Sequence, residues 1–321
     1  MIINSKPRQF HAPKRSAERH AIILAGGDGT RLRSITRLVT GDERPKQFCK
    51  IFGDDTLLDH TLERTASLIA PSNTYFSLTE KHWRYFSSAL ANVPESRLVV
   101  QPENRGTAPA ILYSLLRLAG TAPDAPVAFF PSDHYFSNDD AFMAHVDRAF
   151  ASVEADLSSV VLLGIEPDKP ETSYGWIEPV DSLFGEMPRS ISGVGRFWEK
   201  PTRLAAQRLF ASGCLWNSFV MVGRVSSFIE MFRSHLPGLY RTFAAASALF
   251  GTEQETAVVR SVYDWIKDTN FSSEVLEKCA GELQVMRVGN VGWCDWGEPE
   301  RVIGTLNTLG LQPQWMQAMA A

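Results

Sequence analysis

Apolar residues in the first half of the chain fall into short continuous runs separated by helix-spaced segments. Ala21–Ala25 (AIILA) is uninterrupted and apolar, the pattern of a strand covered on both faces. After Asp55 and Thr56, which suit a helix N-terminus, Leu57, Leu58, Leu62, Ala66 and Ile69 recur at helical spacing. Further strands are predicted at Tyr75–Thr79, Leu98–Gln101, Val127–Phe130 and Val160–Ile165, with helices over Thr107–Leu118 and Asp139–Ala155. Repeated βα units of this kind predict an α/β fold: a mostly parallel central sheet with helices on both faces.

Beyond Ile165 the rhythm changes. Trp176, Ile177, Phe197 and Trp198 sit on short strand-like pieces between Gly and Pro turns. Helices are predicted over Thr202–Ala211 and within Ser226–Lys267, then a strand at Leu283–Val288 and a helix over Pro299–Leu309. No repeat or linker interrupts the pattern, so residues 20–321 are expected to form one domain with two halves, 20–165 and 166–321. The basic stretch before it, residues 1–19, reads as a mobile tail and lacks the apolar core of a signal peptide. No apolar run reaches membrane-spanning length, and the expected setting is the cytoplasm, with no membrane partner.

Composition narrows the chemistry. With 44% hydrophobic and 21% charged residues the chain can bury a substantial core. A formal net charge of −4 gives no basic footprint for nucleic acid, while a small phosphate ligand needs only local positive charge. Cys49, Cys214, Cys279 and Cys294 show neither CxxC pairing nor metal-ligand spacing, and read as reduced thiols.

The run Leu24–Arg33 (LAGGDGTRLR) follows directly on the first strand. Gly26, Gly27 and Gly29 let the backbone turn tightly and bring amide N–H groups against a ligand. Arg31 supplies the positive charge a polyphosphate requires. A Walker loop needs Lys-Ser/Thr where Thr30-Arg31 follows the last glycine, and a dinucleotide fingerprint needs a third glycine where Leu32 stands. The glycines alone would fit an ordinary tight turn equally well. Gln101 offers a donor and an acceptor to a base edge, although its segment also fits a plain strand-to-helix connection capped at Thr107. Asp133 follows the strand Val127–Phe130 at its carboxyl end, where open α/β sheets bind ligands; the alternative is a cap for the helix near Asp139. Asp295 lies between two tryptophans, where burial without a cation or partner is costly.

Joined to PKQF (45–48), QPENRGTAPAI (101–111), FFPSDHY (129–135), YGWIEP (174–179), FWEKP (197–201), LWNSFV (215–220) and GWCDWGEPERV (292–302), this loop gives the chain a wider likeness. From His20 to the last helix it resembles the sugar-nucleotide pyrophosphorylases, most closely the mannose-1-phosphate guanylyltransferases. The resemblance implies a Rossmann-like nucleotide-diphospho-sugar transferase fold, with 20–165 binding nucleotide and 166–321 binding sugar phosphate. It implies nucleotide contacts from Leu24, Ala25, Gly26, Gly27, Gly29, Thr30, Gln101, Asn104, Gly106 and Thr107, and catalytic charge from Arg31 and Lys46. Sugar-phosphate contacts would come from Gly175, Glu199, Lys200 and Asn217, with Mg²⁺ or another divalent cation on Asp133 and Asp295. His134 reads as structural. The implied reaction joins GTP and mannose-1-phosphate to give GDP-mannose and pyrophosphate.

Departures from the family pattern accompany the likeness. The stretch between Leu32 and Pro45 is longer than usual, with Arg33-Ser34 where Trp-Pro is common. Phe219 stands where the Asn-Ser-Gly pattern has glycine, and the customary Ser-x-Asp-Tyr…Glu segment appears only as NFSSEVLEK (270–278). The chain ends soon after the last predicted helix, so the isomerase domain of bifunctional members is not expected. Two alternatives stay open: a pyrophosphorylase for another sugar phosphate or base, and a non-catalytic sugar-nucleotide-binding protein on the same fold. A homo-oligomer also stays open.

Overall fold

In the computed structural model, which describes residues 18–180 and 191–318, β1 (His20–Leu24) lies inside a parallel array. Between β1 and β2 (Thr74–Thr79) the chain forms α1 (Arg33–Thr40) and α2 (Leu57–Ala66). Then follow α3 (Trp83–Ala89), β3 (Leu98–Gln101), α4 (Thr107–Ala119), β4 (Pro126–Pro131), α5 (Asp139–Ala155) and β5 (Val161–Ile165). Strands β3, β2, β1 and β4 are neighbours in that order and all parallel. Alternate side chains serve opposite faces. Ala21, Ile23, Ala128 and Phe130 join one core cluster with α2, α3 and α5, whereas Ile22, Val127 and Phe129 join a second with α4.

The second half adds β6 (Trp176–Pro179), β7 (Ile191–Trp198), α6 (Arg203–Ala211) and β8 (Leu215–Arg224). Helices α7 (Val225–His235), α8 (Pro237–Ala246) and α9 (Glu255–Trp265) then thicken the second cluster. Strand β9 (Gln284–Val288) and helices α10 (Pro299–Thr308) and α11 (Gln314–Ala318) close the described chain. Strand β8 joins the halves. Its Met221–Arg224 end runs antiparallel to β4, its Leu215–Trp216 end pairs with β6, and its other edge pairs with β5. Pairings β5–β9, β9–β7 and β7–β6 complete a closed circuit of five strands.

The expected α/β layering is present, with the parallel strands concentrated in residues 20–165 and a mixed sheet beyond β4. The long stretch after Leu32 is the helix α1, ended by Gly41 at φ 77°. Its Ile35 packs with Leu32, Leu57, Trp296, Leu306 and Trp315 in a third cluster that ties the glycine loop to the C-terminal helices. The tail expected over residues 1–19 lies outside the described residues up to 17. Among the described residues, no helix is long and apolar enough to cross a membrane.

Helix α2 begins with a reciprocal cap: Thr56 Oγ1 accepts from Asp59 N–H at 3.1 Å, and the Asp59 carboxylate accepts from Thr56 N–H at 2.9 Å. Thr56→Ala removes one half of this box and is expected to cost about 1 kcal/mol, read as a lower urea midpoint at unchanged m-value.

Candidate active site

The glycine loop is fixed by its carbonyls. Gln47, 1% exposed, donates from its amide to Ala25 O at 3.0 Å and Gly27 O at 2.9 Å. Thr79 Oγ1 donates to Gly26 O at 2.9 Å. Gly29 adopts φ +57°, and a Cβ there would lie 3.2 Å from Lys46 N, so both the turn and the close approach favour glycine. The amide N–H groups of Gly26, Gly27, Asp28 and Gly29 meet no protein acceptor among the described residues. Successive amides left open in this way form an anion-binding concavity.

Two cavities flank the loop, each of about 340 Å³. Leu24, Gly26, Gly27, Gln101, Asn104, Gly106 and Thr107 line the first, and Gly29, Thr30, Arg31, Lys46 and Asp133 line the second. Asn104 borders both. Ala25 lies fully buried behind it.

Gln101 is more committed than its sequence suggests. Its Oε1 accepts from Tyr263 OH at 2.7 Å, and its Nε2 donates towards Leu78 O at 3.2 Å and Ser77 Oγ at 3.3 Å. With both amide protons engaged, it can offer a base only the remaining lone pair of Oε1. Asn104 and Thr107 likewise brace the cavity. Asn104 Oδ1 accepts from Gly106 N–H at 2.9 Å, and Thr107 Oγ1 accepts from Phe271 N–H at 2.8 Å.

The second cavity is built around Lys46. Its buried ammonium donates to the carbonyls of Asp295, at 2.5 Å, and Trp296, at 2.9 Å, and lies 3.4 Å from Asp133 Oδ2. The segments carrying the two aspartates are held together by a two-way backbone bridge, Tyr135 N to Cys294 O at 2.9 Å and Cys294 N to Tyr135 O at 3.0 Å. Asp295 Oδ1 accepts from Arg301 Nη1 at 2.7 Å, Tyr174 OH at 2.9 Å and Gly297 N–H at 2.9 Å. Burial pushes the Asp295 carboxyl up, but Lys46 and Arg301 outweigh it and hold the group below the usual carboxylate range. Arg301 also pairs with Glu171 at 3.2 Å and bonds Ser173, tying Asp295 to the loop before β6. Arg31, about half exposed, pairs with Glu298 at 2.7 Å.

Three of the residues expected to contact the sugar phosphate gather elsewhere, at the five-strand circuit. A Cβ on Gly175 would lie 3.2 Å from Glu199 Oε2 and 3.4 Å from Asn217 Cβ, which places the three together. Burial raises the Glu199 carboxyl above its ordinary range despite Lys200 nearby. Lys200 itself stands out in solvent, 3.7 Å from Glu199 Oε1. The poorly matching 270–278 segment nevertheless reaches both regions: Asn270 lines the first cavity and Glu277 Oε1 accepts from Glu199 N–H at 3.3 Å.

Several contributors escaped the sequence reading. Gln47 and Arg301 lie inside the motifs PKQF and GWCDWGEPERV, but nothing local in the sequence signals their contacts. Asp28, within the loop, is held by Lys81 at 2.5 Å and His82 at 3.3 Å. Tyr263 had no signal beyond its place on a helix.

Comparison with known proteins gives these features a family. Residues 20–309 match the nucleotidyl transferase family. The chain belongs to it. It is 31% identical over 284 residues to the alginate biosynthesis protein AlgA of Pseudomonas fluorescens, covering 86% of this chain and 56% of that protein. It is 28% identical over 286 residues to the mannose-1-phosphate guanylyltransferase of Escherichia coli, covering 87% and 58% respectively. The chain thus spans a little over half the length of the curated relatives it matches. Among solved structures, a mannose-1-phosphate geranyltransferase from Thermus thermophilus aligns with a TM-score of 0.74 at 28% identity, over 87% of this chain and 76% of that one. The Rossmann-like nucleotide-diphospho-sugar transferase fold expected from the motifs is therefore the fold observed.

His134 supplies a pH signature. Its Nδ1 accepts from Trp293 Nε1 at 3.2 Å, which puts the ring proton of the neutral form on Nε2, 3.9 Å from Asp133 Oδ1. Burial pushes the imidazole from its ordinary 6.5 down to about 4, against the opposing pull of Asp133. Between those values the unfolded chain binds more protons than the folded one, so stability falls as pH drops from about 6.5 to about 4. Urea unfolding without divalent cations should show a loss of a few kcal/mol across this window, and His134→Phe should flatten it.

Proposed function

We propose that this chain transfers a nucleotidyl group from GTP to mannose-1-phosphate, giving GDP-mannose and pyrophosphate. The observation that carries the reading is the row of open amides, Gly26 to Gly29, set between the two cavities. One cavity suits a nucleoside, and the other, with Arg31 and Lys46, suits its phosphates. The acceptor that Gln101 retains suits an N–H donor on the base edge, such as guanine carries. The names of the relatives point the same way for base and sugar.

In the proposed reaction a phosphate oxygen of the sugar-1-phosphate attacks the α-phosphorus. A new P–O bond forms, the bond from α-phosphorus to the bridging oxygen breaks, and pyrophosphate leaves with that electron pair. The attacking oxygen is already anionic, so no general base is required; the task is alignment and charge neutralisation. The loop amides orient the triphosphate and Arg31 exchanges Glu298 for a phosphate oxygen. Gly175, Glu199 and Asn217 orient the sugar, with Glu199 accepting from its hydroxyls. Lys46 keeps the Asp133 and Asp295 segments in place.

A divalent cation fits this donor set. Asp133 has its carboxylate at the second cavity, and Asp295 has Oδ1 saturated but Oδ2 without a hydrogen bond among the described residues. No group of three or more metal-binding side chains occurs among those residues, and Mg²⁺ characteristically takes one or two carboxylates with substrate phosphates and water. Bound by Asp133 and Asp295, it would supply positive charge to the phosphates.

Pyrophosphate release over a panel of nucleotides and sugar-1-phosphates tests the reading. GTP with mannose-1-phosphate should give the highest kcat/KM, and Asp133→Asn should lower it on the order of 100-fold or more with the fold intact. Faster turnover of another pair would overturn the substrate assignment, and full activity in Asp133→Asn would overturn the role of that carboxylate.

A further inference from the structure

Of the residues whose amides stand open in the glycine loop, Gly26 to Gly29, Asp28 alone carries a charge, and that charge is negative. Its carboxylate borders the second cavity together with Arg31, Lys46 and Asp133. A row of open amides attracts anions, whereas an uncompensated carboxylate at its rim repels any polyphosphate that enters. The loop therefore works as an anion site only if Asp28 is offset by a nearby cation.

That cation comes from the segment that follows β2. Lys81 Nζ lies 2.5 Å from Asp28 Oδ1, and His82 Nε2 lies 3.3 Å from the same oxygen. Burial pushes the His82 imidazole below its ordinary 6.5, so at neutral pH the ring brings no charge. Asn104 Nδ2 donates to the other carboxylate oxygen at 3.4 Å and is neutral as well. Among the described residues the offsetting charge is thus the Lys81 ammonium. The segment that delivers it is anchored on three sides. Thr79 Oγ1 donates to Gly26 O at 2.9 Å, Glu80 pairs with Arg260 of α9 at 2.6 Å, and His82 rests edge-on against Phe48. Unlike Arg31 and Lys46, Lys81 lines neither cavity beside the loop, so it reaches a ligand only through Asp28.

We propose that Lys81 is a positioning residue for the nucleotide: by pairing with Asp28 it offsets the negative charge at the rim of the amide row and lets a polyphosphate settle there. This rests on the nucleotidyltransferase reading given above. The role is electrostatic, so removing the carboxylate makes the lysine dispensable. A merely structural tie between loop and segment would behave in the opposite way, since loss of either partner would break it and loss of both would repair nothing.

The test measures GTP binding with Mg²⁺ by calorimetry, and kcat and KM for GTP, in wild type, Lys81→Met, Lys81→Arg, Asp28→Asn and the double variant Lys81→Met/Asp28→Asn. The Lys81 side chain is about half exposed, and circular dichroism checks that each variant is folded. Lys81→Met is expected to weaken GTP binding about 10-fold and to raise KM to match, with kcat within about 2-fold of wild type. Lys81→Arg and the double variant should both bind GTP within about 3-fold of wild type, and Asp28→Asn alone should bind it at least as tightly. Wild-type affinity in Lys81→Met, a loss that the double variant does not repair, or weaker binding by Asp28→Asn overturns the proposal while leaving the transferase reading intact. A wild type that binds no nucleoside triphosphate overturns both.

Discussion

The site depends on one buried ammonium. Lys46 has a side chain only 8% exposed, and a charge so far from water has to be matched by acceptors. It finds them on two otherwise distant segments, the carbonyls of Asp295 and Trp296 and the carboxylate of Asp133. Beside it, Gln47 staples the glycine loop through two carbonyls. Two adjacent side chains of a four-residue motif thus set the distance from the open amides to both aspartates. The need to satisfy buried polar groups, rather than any single catalytic group, gives the site its shape.

Charge is also balanced before any substrate arrives. Arg31 has Glu298, Lys46 has Asp133, and Asp295 has Arg301. A polyphosphate would compete with these carboxylates rather than fall onto bare cations, which favours a ligand that brings several negative oxygens at once. Arg31 is the most readily diverted of the three cations, because its ion pair is exposed and such pairs hold weakly. The Arg301 linkage reaches from Asp295 to Glu171 and Ser173, so the loop before β6 and the Asp295 carboxylate share a partner.

Much of the parallel half was legible because its strands are continuous apolar runs and its helices have strong starts. Leu98–Gln101 and Asp139–Ala155 fall where the pattern places them. Helix α1 was missed because its apolar residues are sparse, and Ile35 gains its meaning only by packing on the C-terminal cluster. Strand β8 was seen as a motif rather than an element, since Asn217–Phe219 reads as a turn and only pairing with β4, β5 and β6 makes it a strand. The site was legible in residue types but not in commitments. Whether Gln101 is free to read a base depends on Tyr263, 162 positions away, and no local pattern carries that.

The Lys46-linked aspartates and the open loop amides are proposed to form one site for a metal-bound nucleotide. A crystal structure with a non-hydrolysable GTP analogue and Mn²⁺ in place of Mg²⁺ tests it directly. The expected result is an anomalous peak coordinated by Asp133 and Asp295, triphosphate oxygens on the amides of Gly26 to Gly29, and the base beside Gln101. A metal bound away from both aspartates, or a triphosphate that avoids the loop, would contradict it.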